Sequence, residues 1–280
     1  AMVKKPRKIH FGQFFANLVL MIIVALMFYP LLVAIWGAFK SNAQFQVNKW
    51  LPALPLNFTN FFVAIKSLYR YILNTMIVGV LGTAGVLLVS CPAAYAFARK
   101  KFPGKQILFM LVIGLMMIPA IMTLVPSFML YKKLVGTNTY AILIIPIITG
   151  GSVFAVFLLR SFFASIDEGI FEAARIDGAN DFMCFIKICL PLSMPILLTL
   201  IIMQLNGVWN DYLWPMIAIP TDTSKLTIAA AIKKEFLSGN AGSYPLLFSG
   251  YLVSTIPMIF LFIFGNKYYV EGLNSSAIKF

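Results

Sequence analysis

The sequence predicts an all-α integral membrane protein with six transmembrane helices, and three observations carry the prediction. Hydrophobic residues make up 61% of the 280 and charged residues 11%, against about 45–50% and about 25% in soluble domains. Six stretches contain no Asp, Glu, Lys or Arg: 11–39, 71–98, 106–131, 134–159, 188–210 and 236–266. Each is long enough for the ~20 helical residues that cross ~30 Å of hydrocarbon. The 22 Lys and Arg residues sit in short clusters between these runs, as membrane anchoring requires, and form no continuous basic face for nucleic acid. Three cysteines are too few for a disulfide scaffold.

The spans are placed at about 14–36, 72–98, 107–131, 140–160, 191–219 and 246–265. The first is too long for a cleaved signal peptide and lacks a small-residue cleavage site, so it is expected to be retained. Lys4, Lys5, Arg7 and Lys8 precede it, and Arg99, Lys100, Lys101 and Lys105 follow the second span. Placing both clusters inside puts 13 of the 22 basic residues on the cytoplasmic side, with both termini. Between the first two spans, Phe58, Phe61, Phe62, Ile65 and Leu68 share a helical face, which predicts a short helix over 57–70 at the membrane surface. In the second span Gly79, Gly82 and Gly85 leave one face nearly bare, for close helix approach or for a substrate path. Pro92, Pro119, Pro126, Pro146, Pro195 and Pro215 interrupt the apolar runs, as membrane helices tolerate.

The acidic residues are unevenly spread. Asp167, Glu168, Glu172, Asp177 and Asp181, five of nine, fall between the fourth and fifth spans. Carboxylates contribute little to topology, so the cluster needs another cause. A short helix through Glu172-Ala173-Ala174-Arg175, with Glu172 and Arg175 an i,i+3 pair, is expected to stop at a left-handed turn on Gly178. Pro191 is expected to open the fifth span. Composition alone is compatible with a loop helix resting on headgroups or with a key for a soluble groove.

The spacing decides between them. Glu172-Ala173-Ala174-x₃-Gly178-x₉-Ile188-x-Leu190-Pro191 fills every fixed position of the E-A-A-x₃-G-x₉-I-x-L-P motif. By this motif the chain resembles the permease subunits of binding-protein-dependent ABC importers. Further blocks, A-A-Y-A-F-A-R at 93–99, F-P-G at 102–104, M-M-I-P at 116–119, L-P-L-S-M-P-I at 190–196 and W-N-D-Y-L-W-P at 209–215, are similar to the carbohydrate-importer branch and its six-span maltose-type subunits. The resemblance implies the type I ABC importer permease fold in a bacterial inner or plasma membrane. It implies that loop 167–182 is a cytoplasmic coupling helix, with Glu172 contacting an ATPase subunit, Ala173 and Ala174 permitting close docking, and Gly178 making the turn. The implied partners are two ABC ATPase subunits that carry ATP and Mg, a second homologous permease subunit, and an extracytoplasmic solute-binding protein. The loop at 221–245 is expected to reach that binding protein. The family's carboxyl-terminal tail also reaches the ATPases, but Ser275–Ala277 departs from its glycine-rich form.

The chain is expected to bind no cofactor and no metal and to be no enzyme. It has no G-x-x-x-x-G-K-[ST], and its single histidine, His10, lies in the basic tail. Cys91, Cys184 and Cys189 are expected to pack. A secondary transporter would place coupling carboxylates at mid-membrane, and every carboxylate but Asp211 lies in a loop or tail. Candidates for the substrate path are Gln204, Asn206, Trp209, Asn210 and Asp211, whose amides suit sugar hydroxyls or, alternatively, helix–helix hydrogen bonds. At ~1.5 Å per residue from Leu192, Asp211 falls at the outer boundary, where it caps or gates. The expected cargo is a sugar or oligosaccharide; a polyol, glycerol phosphate or modified oligosaccharide is the alternative.

Overall fold

Why apolar runs become helices here is a matter of hydrogen bonds: in lipid, a chain segment must satisfy its backbone internally. A computed structural model describes residues 11–236 and 243–277, with side chains at 12–234, 243–263 and 265. The basic residues at 4–8, His10 and Lys279 lie outside the described residues, as do the side chains of Ser275–Ala277. The helices in order are α1 (Phe11–Ala38), α2 (Asn42–Val47), α3 (Thr59–Arg99), α4 (Lys105–Met116), α5 (Ala120–Val135), α6 (Tyr140–Ser165) and α7 (Glu168–Ile176). Next come α8 (Asp181–Leu192), which contains a π-helical turn at Cys184–Cys189, and α9 (Met194–Asn210). Then α10 (Leu213–Ala218), α11 (Ile228–Ala231) and α12 (Tyr244–Ala277) complete the order. The fold is all-helical among the described residues.

Four helices are singly long and apolar enough to cross a membrane: those at Gly12–Ala38, Thr59–Arg99, Tyr140–Ser165 and Tyr244–Ile263. Two further candidates are bent pairs, α4 with α5 at 100° and α8 with α9 at 73°. Proline explains both breaks. The Pro119 ring excludes the helical carbonyl four residues back and disfavours helix at Ile118, so α5 starts afresh with Pro119 as its N-cap. Pro195, in the first turn of α9, has no N–H to continue the ladder to the Pro191 carbonyl, and the chain breaks between them at Ser193. The expected opening of the fifth span by Pro191 is therefore corrected, because Pro191 lies inside α8 and Pro195 starts the long helix. The short surface helix expected over 57–70 is also corrected: it is the first part of the 41-residue α3. No Gly or Pro falls between Thr59 and Tyr71 to stop it.

The described residues fall into two units, one comprising residues up to Ser67 with those from Phe236 to Val253, the other Leu68–Glu235 with those from Ser254 on. In the first, Gly37 lets the Phe248 ring approach so closely that a Cβ would sit 2.5 Å from it. Ser249 donates to the Ala38 carbonyl at 3.0 Å, and buried Lys40 donates to the Asn48 carbonyl at 2.6 Å. Burial holds the Lys40 ammonium below its ordinary pKa.

The second unit holds the main core, built from α3 (Val86, Ala94, Tyr95), α6 (Ala155, Leu159, Phe163), α7 (Phe171), α8 (Cys184, Cys189) and α9 (Ile196, Leu200). Cys91 joins it, so all three cysteines are packed. The glycine face of α3 is used for helix approach. A Cβ on Gly82 would come within 2.8 Å of Ile147, Ile148 crowds Gly85 in the same way, and Leu205 lies 3.1 Å from the Gly79 position.

Candidate functional site

The loop between α6 and α9 is built as an exposed, capped helix. Asp167 accepts from the Gly169 N–H at 2.6 Å and starts α7. Glu168 stands in the first turn and Arg175 in the last, matching the helix dipole. At the far end Gly178 takes φ +86°, its N–H donates to Arg175 and the Ala179 N–H to Ala174. This pair of bonds is a Schellman cap, and the left-handed residue in it favours glycine. Asn180 then caps α8 by accepting from Met183 at 2.9 Å.

One face of α7 is buried through Phe171, with Ala174 partly buried against the same core. The opposite face carries Glu172, Ala173 and Ile176, all exposed, Ile176 at 87%; Phe182, in the first turn of α8, is 70% exposed. The four coupling candidates thus separate: Glu172 and Ala173 lie on the surface, Gly178 shapes the turn, and Ala174 faces inward. Of the two carboxylates at helical spacing from Arg175, Glu172 at i,i+3 and Glu168 two turns away, it is Glu168 that Arg175 binds, at 3.2 Å.

That loop is tied to the end of α3. Arg99 donates to Glu168 at 2.5 Å and to the Ile166 carbonyl, and its guanidinium lies 4.3 Å from the Phe171 ring centre. Lys100 pairs with Asp181 and holds that carboxyl below its ordinary pKa. Glu168 raises the Arg175 pKa in return.

The polar residues of the fifth span divide differently. Trp209 donates through Nε1 to the Ser254 carbonyl at 3.1 Å, and Gln204 lies against the bare backbone of Gly151. Both serve helix packing. Asn206 and Asn210 are exposed and bonded to each other at 2.5 Å. Asp211 accepts from the Leu213 and Trp214 N–H groups, so it caps the start of α10. It also lines a cavity of about 400 Å³ with Thr123, Ser127, Tyr131, Thr149 and Trp214. Tyr131 and Thr149 share a hydrogen bond at 2.8 Å, and Trp214 meets Tyr131 edge-on at 5.8 Å. These hydroxyls were not singled out in the sequence reading, although Thr123, Ser127 and Tyr131 recur every four residues on one face of α5. Among the described residues no group of three His, Cys, Asp or Glu side chains could hold a metal.

The 221–245 connection is less free than expected at its start. Asn74 donates to the Ser224 and Leu226 carbonyls at 2.8 and 2.9 Å and accepts from Tyr140 at 2.7 Å. Asn138 accepts from the Thr221 and Asp222 N–H groups. Residues 226–228 are buried as a result, and 237–242 lie outside the described residues.

Comparison with known proteins agrees with this geometry. Residues 87–273 match the family described as binding-protein-dependent transport system inner membrane component. The chain is 32% identical over 279 residues to the probable ABC transporter permease protein YurM of Bacillus subtilis, covering 99% of this chain and 92% of that one. It is 31% identical to the arabinooligosaccharides transport system permease protein AraQ of Halalkalibacterium halodurans, covering 90% and 91%. A crystal structure of a bacterial ABC transporter involved in import of the acidic polysaccharide alginate contains a chain of the same fold, with TM-score 0.81 at 22% identity, covering 96% and 100%. The capped loop helix, the all-helical fold with its apolar spans and these matches lead to one conclusion: the chain belongs to the binding-protein-dependent transport system inner membrane components, the permease subunits of ABC transporters.

Proposed function

We propose that this chain is one membrane-spanning half of an ATP-driven importer that receives a sugar or oligosaccharide from an extracytoplasmic solute-binding protein. Counted with each bent pair as one crossing, it passes the bilayer six times, with both termini and α7 in the cytoplasm. Two ATPase subunits bind ATP and Mg, and a second permease subunit completes the path. The observation that carries the reading is α7, a nine-residue helix capped at both ends that leaves Glu172, Ala173 and Ile176 exposed. Closing of the ATPase pair moves the docked helix, and the membrane helices follow because its contact energy differs between the two states. Gly178 sets the exit angle of α7, and Ala173 leaves room for the groove wall.

The sugar assignment is supported by the names of the relatives and by the cavity. Thr123, Ser127, Tyr131 and Thr149 offer hydroxyls, Asp211 an acceptor, and Trp214 an aromatic edge, a mixture that suits a polyhydroxyl ligand. The test is uptake of a labelled oligosaccharide into vesicles carrying the whole importer. Uptake should require ATP and should be lost in Gly178→Leu, where a branched side chain is forced to φ +86° at about 1–2 kcal/mol, while membrane insertion persists. Transport by the chain without ATPase subunits would overturn the reading.

A further inference from the structure

We infer that Arg99 is the polar strut that joins the docking helix α7 to the long membrane helix α3, so that movement of α7 reaches α3 through this side chain in addition to the packing of Phe171 on the core. The inference rests on the reading of α7 as the docking element. Arg99 is the last residue of α3, and its side chain is only 6% exposed, whereas its partner Glu168 is 51% exposed. Its guanidinium makes three different attachments. One nitrogen bonds the Glu168 carboxylate at 2.5 Å, the other bonds the Ile166 carbonyl, and the plane covers Phe171 at 4.3 Å. These fix the linker before α7, its first turn and its buried anchor respectively. The remaining Nε is buried without a hydrogen-bond acceptor among the described residues.

The surroundings make the joint rigid on the α3 side and adjustable on the α7 side. One turn back, Tyr95 is buried in the core and meets Phe185 at 5.1 Å between ring centres. Ala98 also packs on that core. By contrast Glu168 is shared with the exposed Arg175 at 3.2 Å, so its carboxylate has a second cation to hold if α7 shifts. Lysine cannot replace this group, since an ammonium neither forks between a carboxylate and a carbonyl nor lies flat on a ring. Arg99 is a positioning residue: it touches neither nucleotide nor cargo.

The experiment uses the complete importer, with ATPase subunits, partner permease and binding protein, reconstituted in vesicles. The readout is cargo moved per ATP hydrolysed, alongside the amount of assembled complex. Arg99→Lys should lower that ratio by about tenfold or more, the scale set by losing one charge-assisted hydrogen bond. Glu168→Gln, at a half-exposed position with little bearing on folding, should lower it in the same direction by a smaller factor. Arg175→Lys should leave it within about twofold, as for an exposed pair. A normal ratio in both Arg99→Lys and Glu168→Gln, or a loss of assembled complex with the ratio preserved, overturns the strut. If Gly178→Leu also keeps a normal ratio, the failure lies with the docking role of α7; if Gly178→Leu uncouples and the strut variants do not, it lies with Arg99 alone.

Discussion

Two polar locks sit on α3, at Asn74 and Arg99, about 37 Å apart at 1.5 Å per helical residue, and they are made of opposite chemistry. The first is neutral and buried: Asn74, 3% exposed, spends its whole amide on two carbonyls about 150 residues away and on the Tyr140 hydroxyl. Thr75 beside it accepts from the Ile228 N–H at 2.8 Å. The second is ionic and half open, with Arg99, Lys100, Arg175, Glu168 and Asp181 sharing charges at the edge of the core. A buried amide has no substitute partner when it breaks, so it fixes structure. Around the buried Arg99, the half-exposed Glu168, Lys100, Arg175 and Asp181 can trade partners with one another or with water at small net cost. On the reading proposed above, the difference separates a static end from a working end within one helix.

The comparison breaks most visibly at the neutral end. Asn74→Leu strands two carbonyls and a hydroxyl and should cost about 3 kcal/mol, seen as a clear fall in the unfolding temperature of the purified complex; an unchanged temperature would refute the static role. Tyr140→Phe removes a single bond from the same lock and should cost about 1 kcal/mol, read in the same assay. The ionic end should respond instead to pH and salt. Lys100 depresses the Asp181 pKa, so the stabilisation is present above the ordinary aspartate value of about 4 and fades as pH falls through the lower folded value. Backbone hydrogen exchange across 168–183, corrected for intrinsic rate, should therefore quicken slightly in acid or in about 1 M salt, while residues 74–78 and 138–142 stay unchanged. Equal responses at both ends would erase the distinction.

Much of this was legible in the sequence. Charge-free runs located the apolar helices, and the short helix through Glu172–Arg175 stopped by a left-handed Gly178 was expected and is present. The bends were not legible, because proline does not announce its effect. Pro30, Pro92, Pro126, Pro146 and Pro257 lie inside unbroken helices, whereas Pro119 and Pro195 end them. At Pro146 the freed Ile142 carbonyl accepts from the Trp214 Nε1 at 2.8 Å, a partner 72 residues away that no local pattern announces. The facing of α9 was equally hidden. In a membrane both the lipid side and the packed side of a helix are apolar, so no pattern told that Gln204 and Trp209 turn towards neighbours while Asn206 and Asn210 remain exposed. Glu168 and Glu172 both stood at helical spacing from Arg175, and spacing did not choose between them; Glu168 is the one that bridges Arg175 and Arg99.

The wide turn at Cys184–Cys189 gives the spacing of the loop a geometric meaning. Each residue of an α-helix advances the chain by about 100°, and a π-turn absorbs one residue more than an α-turn over the same rise. Deleting one residue there would relax the turn to ordinary pitch and leave the segments on either side near their present bearing, whereas a deletion in the ordinary helix around it would rotate them by roughly that angle. The nine residues between Gly178 and Ile188 therefore include slack as well as spacing: the wide turn takes up a residue that would otherwise turn Glu172 and Ala173 to another azimuth.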